Sequence, residues 1–179
     1  PQSEDMGYTI FEKSTVWADC VVTLYEEAII DRWAPATDLN WSSMEALPDD
    51  MEAAVCQFLT EQTDRAYHQG QLLSGWLPKI SYGFLEAKLF LSTIIYDMAK
   101  QAEAFRKRSL ANGGGIGLQA PTDYMRAAQE SRSFGELLAV LFVQDSMLFT
   151  LFSRGDDFAQ NQVERDLYAF VAKDRARAL

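Results

Sequence analysis

Between Glu86 and Arg108 the chain runs without a single proline or glycine. The two residues that most disfavour a helix interior are absent, so the stretch is read as one long helix. Its apolar residues Phe84, Leu91, Ile95, Met98, Ala102 and Phe105 recur at steps of seven, four and three. That spacing keeps them on one stripe, the stripe a helix buries in a bundle. An all-α architecture follows as the expectation.

The rest of the chain supplies the partners. Residues 1–13 carry no period and are expected to form an arm lying on the domain or on a partner; residues 14–179 are expected to form one helical domain. A first helix is predicted over 14–33, ended by Ala34-Pro35. Pro48-Asp49-Asp50 marks a second start, with acids near the positive end of the dipole, and this helix runs over 51–76. The long helix ends near Leu110. A fourth spans 121–153, with a break admitted at 131–133, and its nearly all-apolar second half predicts the central, fully buried helix. Asp156 or Asp157 would cap a fifth over 158–179.

With 16 Lys+Arg against 26 Asp+Glu the net charge is −10. That balance repels phosphate backbones and anionic bilayers, so no nucleic acid and no membrane partner is expected. The two short basic stretches, Lys100 to Arg108 and Arg165 to Arg177, are read as solvated helix faces. Cys20 and Cys56 sit in apolar helical patterns without metal-knuckle or redox spacing, which predicts buried thiols. The polar start lacks a signal-peptide pattern and no membrane-length apolar run is seen, so the expected compartment is the cytoplasm. Gly115-Ile-Gly117-Leu-Gln-Ala120 has the spacing of a dinucleotide fingerprint. A helix precedes it and Pro121 follows, whereas the fingerprint needs a strand before it, so the expectation is a flexible inter-helix loop.

Several segments together resemble one family. Glu86-x-x-Leu89-Phe90-Leu91 followed by Asp97-x-x-x-Gln101-Ala102-Glu103-x-Phe105, the Trp33-x-Pro35-x-x-Asp38-x-x-Trp41 segment, Tyr67-x-x-Gly70-Gln71 and Asp174-Arg175-x-Arg177 are similar to the ligand segments of the ferritin-like di-iron oxidases related to the ribonucleotide reductase small subunit. The resemblance implies a ferritin-like four-helix bundle with an additional N-terminal helix. It also implies that the metal ligands are replaced. Gln71 stands for the first carboxylate, Met98 for a glutamate, Gln101 for a histidine, Arg175 for a second glutamate and Ala178 for a second histidine. Gln144 or Asp145 takes the place of the remaining glutamate, and the register between them stays open. Asp97 and Asp174 match the aspartates that in the family hold the ligand histidines from behind.

Counting residue types reaches the same point independently. A di-iron or di-manganese bundle site takes a glutamate from each of two helices and a Glu-x-x-His from each of two others. This chain has one histidine, His68, and Arg65 is three residues before it. No cofactor is therefore expected, and no catalytic residue. A guanidinium at position 175 would require a carboxylate such as Asp145 or Asp97 beside it. Glu86, Lys100 and Glu103 are expected on the outer face. The leading expectation is a metal-free, non-catalytic interaction or binding subunit, a homodimer or a hetero-oligomer with a helical partner. One alternative is an oxidoreductase holding iron or manganese through other carboxylates, with Asp145 among them. Another is a binder of a small-molecule ligand in the former metal cavity, lined by Gln71, Met98, Gln101 and Gln144.

Overall fold

Pro48, extended and unable to donate, stops the preceding loop and starts helix α3, which runs Asp49–Trp76 with Asp49, Asp50 and Glu52 in its first turn. Leu77–Lys79 and Tyr82–Phe84 form two 3-10 turns, and α4 returns over Leu85–Ala111. This computed structural model describes residues 6–112 and 114–179. The first five residues of the expected arm and Gly113 of the expected loop lie outside them. The chain is all-α: among the described residues there is no strand, and one isolated bridge joins Ile10 to Ile80.

The expected first helix is two pieces, α1 (Lys13–Val16) and α2 (Val21–Ile30). Trp17 is extended and separates the two, and its indole N–H donates to Asp19 Oδ1 at 3.2 Å. Cys20, at the N-cap of α2, is exposed rather than buried. The remainder of the arm docks on the domain: Thr9 and Ile10 N–H groups donate to Lys79 O, and Ser81 N–H donates to Ile10 O.

The expected break in the fourth helix is real and divides it into α5 (Asp123–Gln129) and α6 (Phe134–Ser153). Ser133 Oγ accepts from Glu136 N–H while Glu136 Oε2 accepts from Arg132 N–H, a capping exchange that starts α6 afresh. Helix α7 spans Gln162–Ala178 and is capped by Asn161, whose Oδ1 accepts from Glu164 N–H, not by Asp156 or Asp157. Those acids belong to the 3-10 turn Gly155–Asp157. Gly155 is there because an added Cβ would lie 2.5 Å from Tyr168 Cβ.

The hairpins α3/α4 and α6/α7 enclose two apolar clusters. One gathers Trp33, Leu59, Phe105, Leu148, Phe152 and Tyr168; the other gathers Ile10, Leu73, Ile80, Phe134, Leu137 and Leu141. On α3 and on α6 the positions between the two clusters carry polar side chains, Gln69 and Gln144-Asp145. The bundle thus has a polar layer inside it. The loop after α4 is strapped along α3, with Gly117 N–H donating to Thr60 Oγ1 and Gln57 exchanging two bonds with Leu118. Helix α6 is not fully buried, since Phe142, Val143 and Met147 point outward.

Candidate functional site

The polar layer is built around Arg175, whose side chain is 1% exposed. Its Nη1 donates to Asp145 Oδ1 at 2.5 Å and to Gln69 Oε1 at 2.6 Å. Gln69 Nε2 donates to Asp145 Oδ2 at 2.9 Å, which closes a ring across α3, α6 and α7. Gln144 Nε2 also reaches Gln69 Oε1, at 3.3 Å. Burial pushes the Asp145 carboxyl above the ordinary carboxylate range, and Arg175 works against that shift. Gln144 Oε1 and Arg175 Nε are buried without a hydrogen-bond partner.

A second group adjoins it. Lys100 Nζ lies 2.7 Å from Asp97 Oδ1 and 3.1 Å from Asp174 Oδ2, over the ring of Trp33. Arg177 Nη2 bridges the same two carboxylates at 3.2 and 2.5 Å. Asp174 Oδ2 further accepts from Trp33 Nε1 and Gln101 Nε2. Asp97 is held above its usual range by burial first and by the neighbouring Asp174 second, against the pull of Lys100 and Arg177. Asp97, Asp145 and Asp174 are thereby matched, one for one, by Lys100, Arg175 and Arg177. Charges buried this deeply persist only when paired.

A third group lies toward the other end of α4. Arg108 grips Glu52 with two bonds of 2.6 and 3.2 Å and Glu164 with one of 2.7 Å. Hydrogen bonds from Arg108 hold the Glu52 carboxyl below the ordinary range despite its burial. Arg108 itself loses to burial but gains more from the two glutamates, so its already high value rises.

Several expectations are corrected by this arrangement. Gln71 is exposed and bonds Tyr67 OH at 3.0 Å; Gln69, two residues earlier and therefore some 200° around the helix, takes the inner place. Met98 is buried against α3, where an added Cβ at Gly70 would lie 3.4 Å from Met98 Cβ. Gln101 is buried with Asp174 rather than with Gln144. Gln144 and Asp145 both face inward, one on each side of the inward direction. Of the two carboxylates expected for Arg175 it takes Asp145, and Asp97 is bonded by Lys100 and Arg177 instead. Each basic stretch is only partly a solvated face: Arg106, Lys107, Arg165 and Lys173 are exposed, whereas Lys100, Arg108, Arg175 and Arg177 are buried; Glu86 and Glu103 are exposed as expected. The apolar period of α3 puts Gln69 or Gly70 on the inner stripe, and Gln69 is buried there; Lys100, Glu52, Arg108 and Glu164 are further interior groups that charge type alone does not reveal. Arg108 continues the stripe of Gln101 and Phe105, and Asn161-x-x-Glu164 has the spacing of a capping box; both signals were present.

Beside Asp145 lies a cavity of about 210 Å³. Leu73, Leu91, Ile94 and Phe142 contribute its walls, Gln69 and Asp145 its polar edge, and Ala178 adjoins it. Gln71, Met98, Gln101 and Gln144 do not line it. The donor set does not fit a carboxylate-bridged metal pair: one carboxylate, two carboxamides and a guanidinium meet there, and the guanidinium already occupies the carboxylate. Among the described residues no cluster of three His, Cys, Asp or Glu has metal-binding geometry. No protein-family model, curated protein or solved structure matches the chain.

Proposed function

We propose that the chain is a ferritin-like bundle whose interior cations do the charge-balancing that metal ions do in the di-iron oxidases, and that it acts as a non-catalytic interaction subunit, dimeric or joined to a helical partner. One observation carries this reading: Arg175 lies buried on Asp145 and Gln69 in the layer between the two apolar clusters. A guanidinium supplies a permanent positive charge with a planar set of donors, so it satisfies a carboxylate without any exchangeable ligand. Substrate chemistry would need a reacting atom to reach these groups, and their oxygens are instead engaged from within the bundle. The test is metal content by mass spectrometry on protein expressed with excess iron and manganese, read beside its optical spectrum. Below about a tenth of an equivalent is expected; about two equivalents, the load of a dinuclear bundle site, would restore the oxidoreductase reading.

The cavity beside Asp145 favours a second reading, a small-molecule binder. Its apolar walls and two polar groups suit a small aromatic or branched aliphatic alcohol or amine. Such a ligand would raise the melting temperature by mass action. A panel of these compounds that leaves the melting temperature unmoved would remove this reading.

A further inference from the structure

Helix α6 is covered on one side only. Phe142, Val143 and Met147 are 56%, 57% and 66% exposed, while Leu137, Leu141, Leu148 and Phe152 on the other side are buried. At about 100° per residue, Glu136, Val143, Met147 and Arg154 fall within about 20° of one line along the helix, with Ala139 and Leu151 flanking it. All six are exposed. The line is symmetric about the level of Asp145. Position 136 is as far before that level as 154 is after it, and the same holds for 139 and 151, and for 143 and 147.

We propose that the chain forms a two-fold homodimer through α6, paired antiparallel with α6 of a second copy about the level of Asp145. This rests on the reading of the chain as an interaction subunit and names its partner. In that register Glu136 of each copy meets Arg154 of the other, an opposite charge at both ends. Val143 lies against Met147 at the centre, and Leu151 reaches the level of the partner's Ala139 on the opposite flank of the line. Arg154 keeps only an exposed contact with Asp157 at 3.0 Å, and such surface pairs hold a side chain weakly enough to be shared. An open groove of about 700 Å³, lined by Met147, Thr150, Leu151, Arg154 and Phe158, runs along the second half of α6. An isologous contact of this kind closes on itself and leaves no edge for further growth.

A bilayer competes for the same face, since α6 has 20 residues and a mean hydropathy of 1.5, long and apolar enough to span one. The opposite charges at the two ends of the line, Glu136 and Arg154, pair across two copies and have no counterpart in hydrocarbon, which favours the second copy. The test uses the whole chain carrying Cys20→Ser, to remove the exposed thiol. Val143→Cys and Met147→Cys proteins are prepared separately, then oxidised alone and mixed. In the proposed register 143 faces 147 of the other copy, whereas like positions are offset by four residues, about 6 Å along the axis, beyond what a disulfide spans without backbone movement. The mixture is expected to give severalfold more covalent dimer than either protein alone. In sedimentation equilibrium Met147→Glu is expected to raise the dimer dissociation constant about 100-fold with the helical content unchanged, the scale of losing a central interface anchor.

Equal cross-linking alone and mixed, a dimer indifferent to Met147→Glu, or a monomer at every concentration would each overturn the proposal. So would flotation of the protein with phosphatidylcholine vesicles that Met147→Glu abolishes. Metal content is independent of all these readouts, so failure of the dimer and failure of the metal-free reading are told apart.

Discussion

Arg175 on α7 and Asp145 on α6 lie 2.5 Å apart with side chains 1% and 4% exposed, and Gln69 of α3 bonds both. Three helices are thus tied at one point. Arg175→Met would leave the Asp145 carboxylate buried without its cation, which costs about 3–5 kcal/mol in comparable pairs. A large fall in melting temperature is expected by calorimetry. Arg175→Met with Asp145→Leu removes both charges and should recover most of the loss, because a buried pair is often no more stable than apolar residues of similar volume. A double variant as unstable as the single would mean that the pair is not the source of the effect.

Gln69 and Gln71 separate the two sides of α3. Gln69→Ala removes a donor to Asp145 and an acceptor for Arg175 and Gln144, so a loss of about 1–3 kcal/mol is expected from the unsatisfied groups left behind. Gln71→Ala removes a surface bond to Tyr67 and should stay within about 0.5 kcal/mol. Urea titrations of the two variants read the difference directly. A Gln71→Ala effect larger than that of Gln69→Ala would reverse the assignment of the inner face.

The contrast also explains what could be read from the amino-acid sequence. Helices α3 and α4 were legible because Pro48, an uninterrupted apolar period and the Gly-Pro-rich loop after Ala111 agree. The inner direction at Gln71 was not, because it was set by a motif register, and a two-residue error turns a helix by more than half a circle. Charge type alone puts Lys100 and Arg108 on the surface, although both fall within the buried arc of α4. On α6 the reason is different. When nearly every residue is apolar the composition has no period, so the exposed face of Val143 and Met147 leaves no trace in the pattern.

Acid should act on the Arg108 group with a defined sign. Glu52 is held below its ordinary value of 4.5, chiefly by hydrogen bonds from Arg108. A carboxyl lowered in the folded state stabilises fully above its unfolded value, and that stability is lost as the pH falls through the folded value. The stability difference between the parent and Glu52→Gln should therefore be largest near neutrality and shrink as the pH drops below 4.5. Asp97 and Asp145 have the opposite sign. Their raised carboxyls favour the folded state below the ordinary range, and that contribution fades as the pH rises through the folded values. Chemical denaturation at a series of pH values, with the Glu52→Gln curve subtracted, isolates the Glu52 contribution. A difference that grows on acidification would show that Arg108 does not hold Glu52 as a carboxylate.

The two cysteines should differ sharply in reactivity, and the buried one reports on this same region. Cys20 is exposed at the start of α2, whereas Cys56 is buried, its Sγ 3.3 Å from Ser109 O and 3.5 Å from Glu52 Oε1. Burial first, and the Glu52 carboxylate beside it second, push the Cys56 thiol up to about 11. The thiolate is the reacting species, so near pH 8 Cys56 is suppressed both by access and by ionisation. A thiol reagent is expected to modify one equivalent rapidly, at Cys20, and the second only as fast as the bundle opens. Arg108→Leu leaves two glutamates without their cation and loosens the helices around Cys56, so it should accelerate the second phase while leaving the first unchanged. Two rapid equivalents in the parent protein would place Cys56 in contact with solvent and count against the packing of α4 on α3.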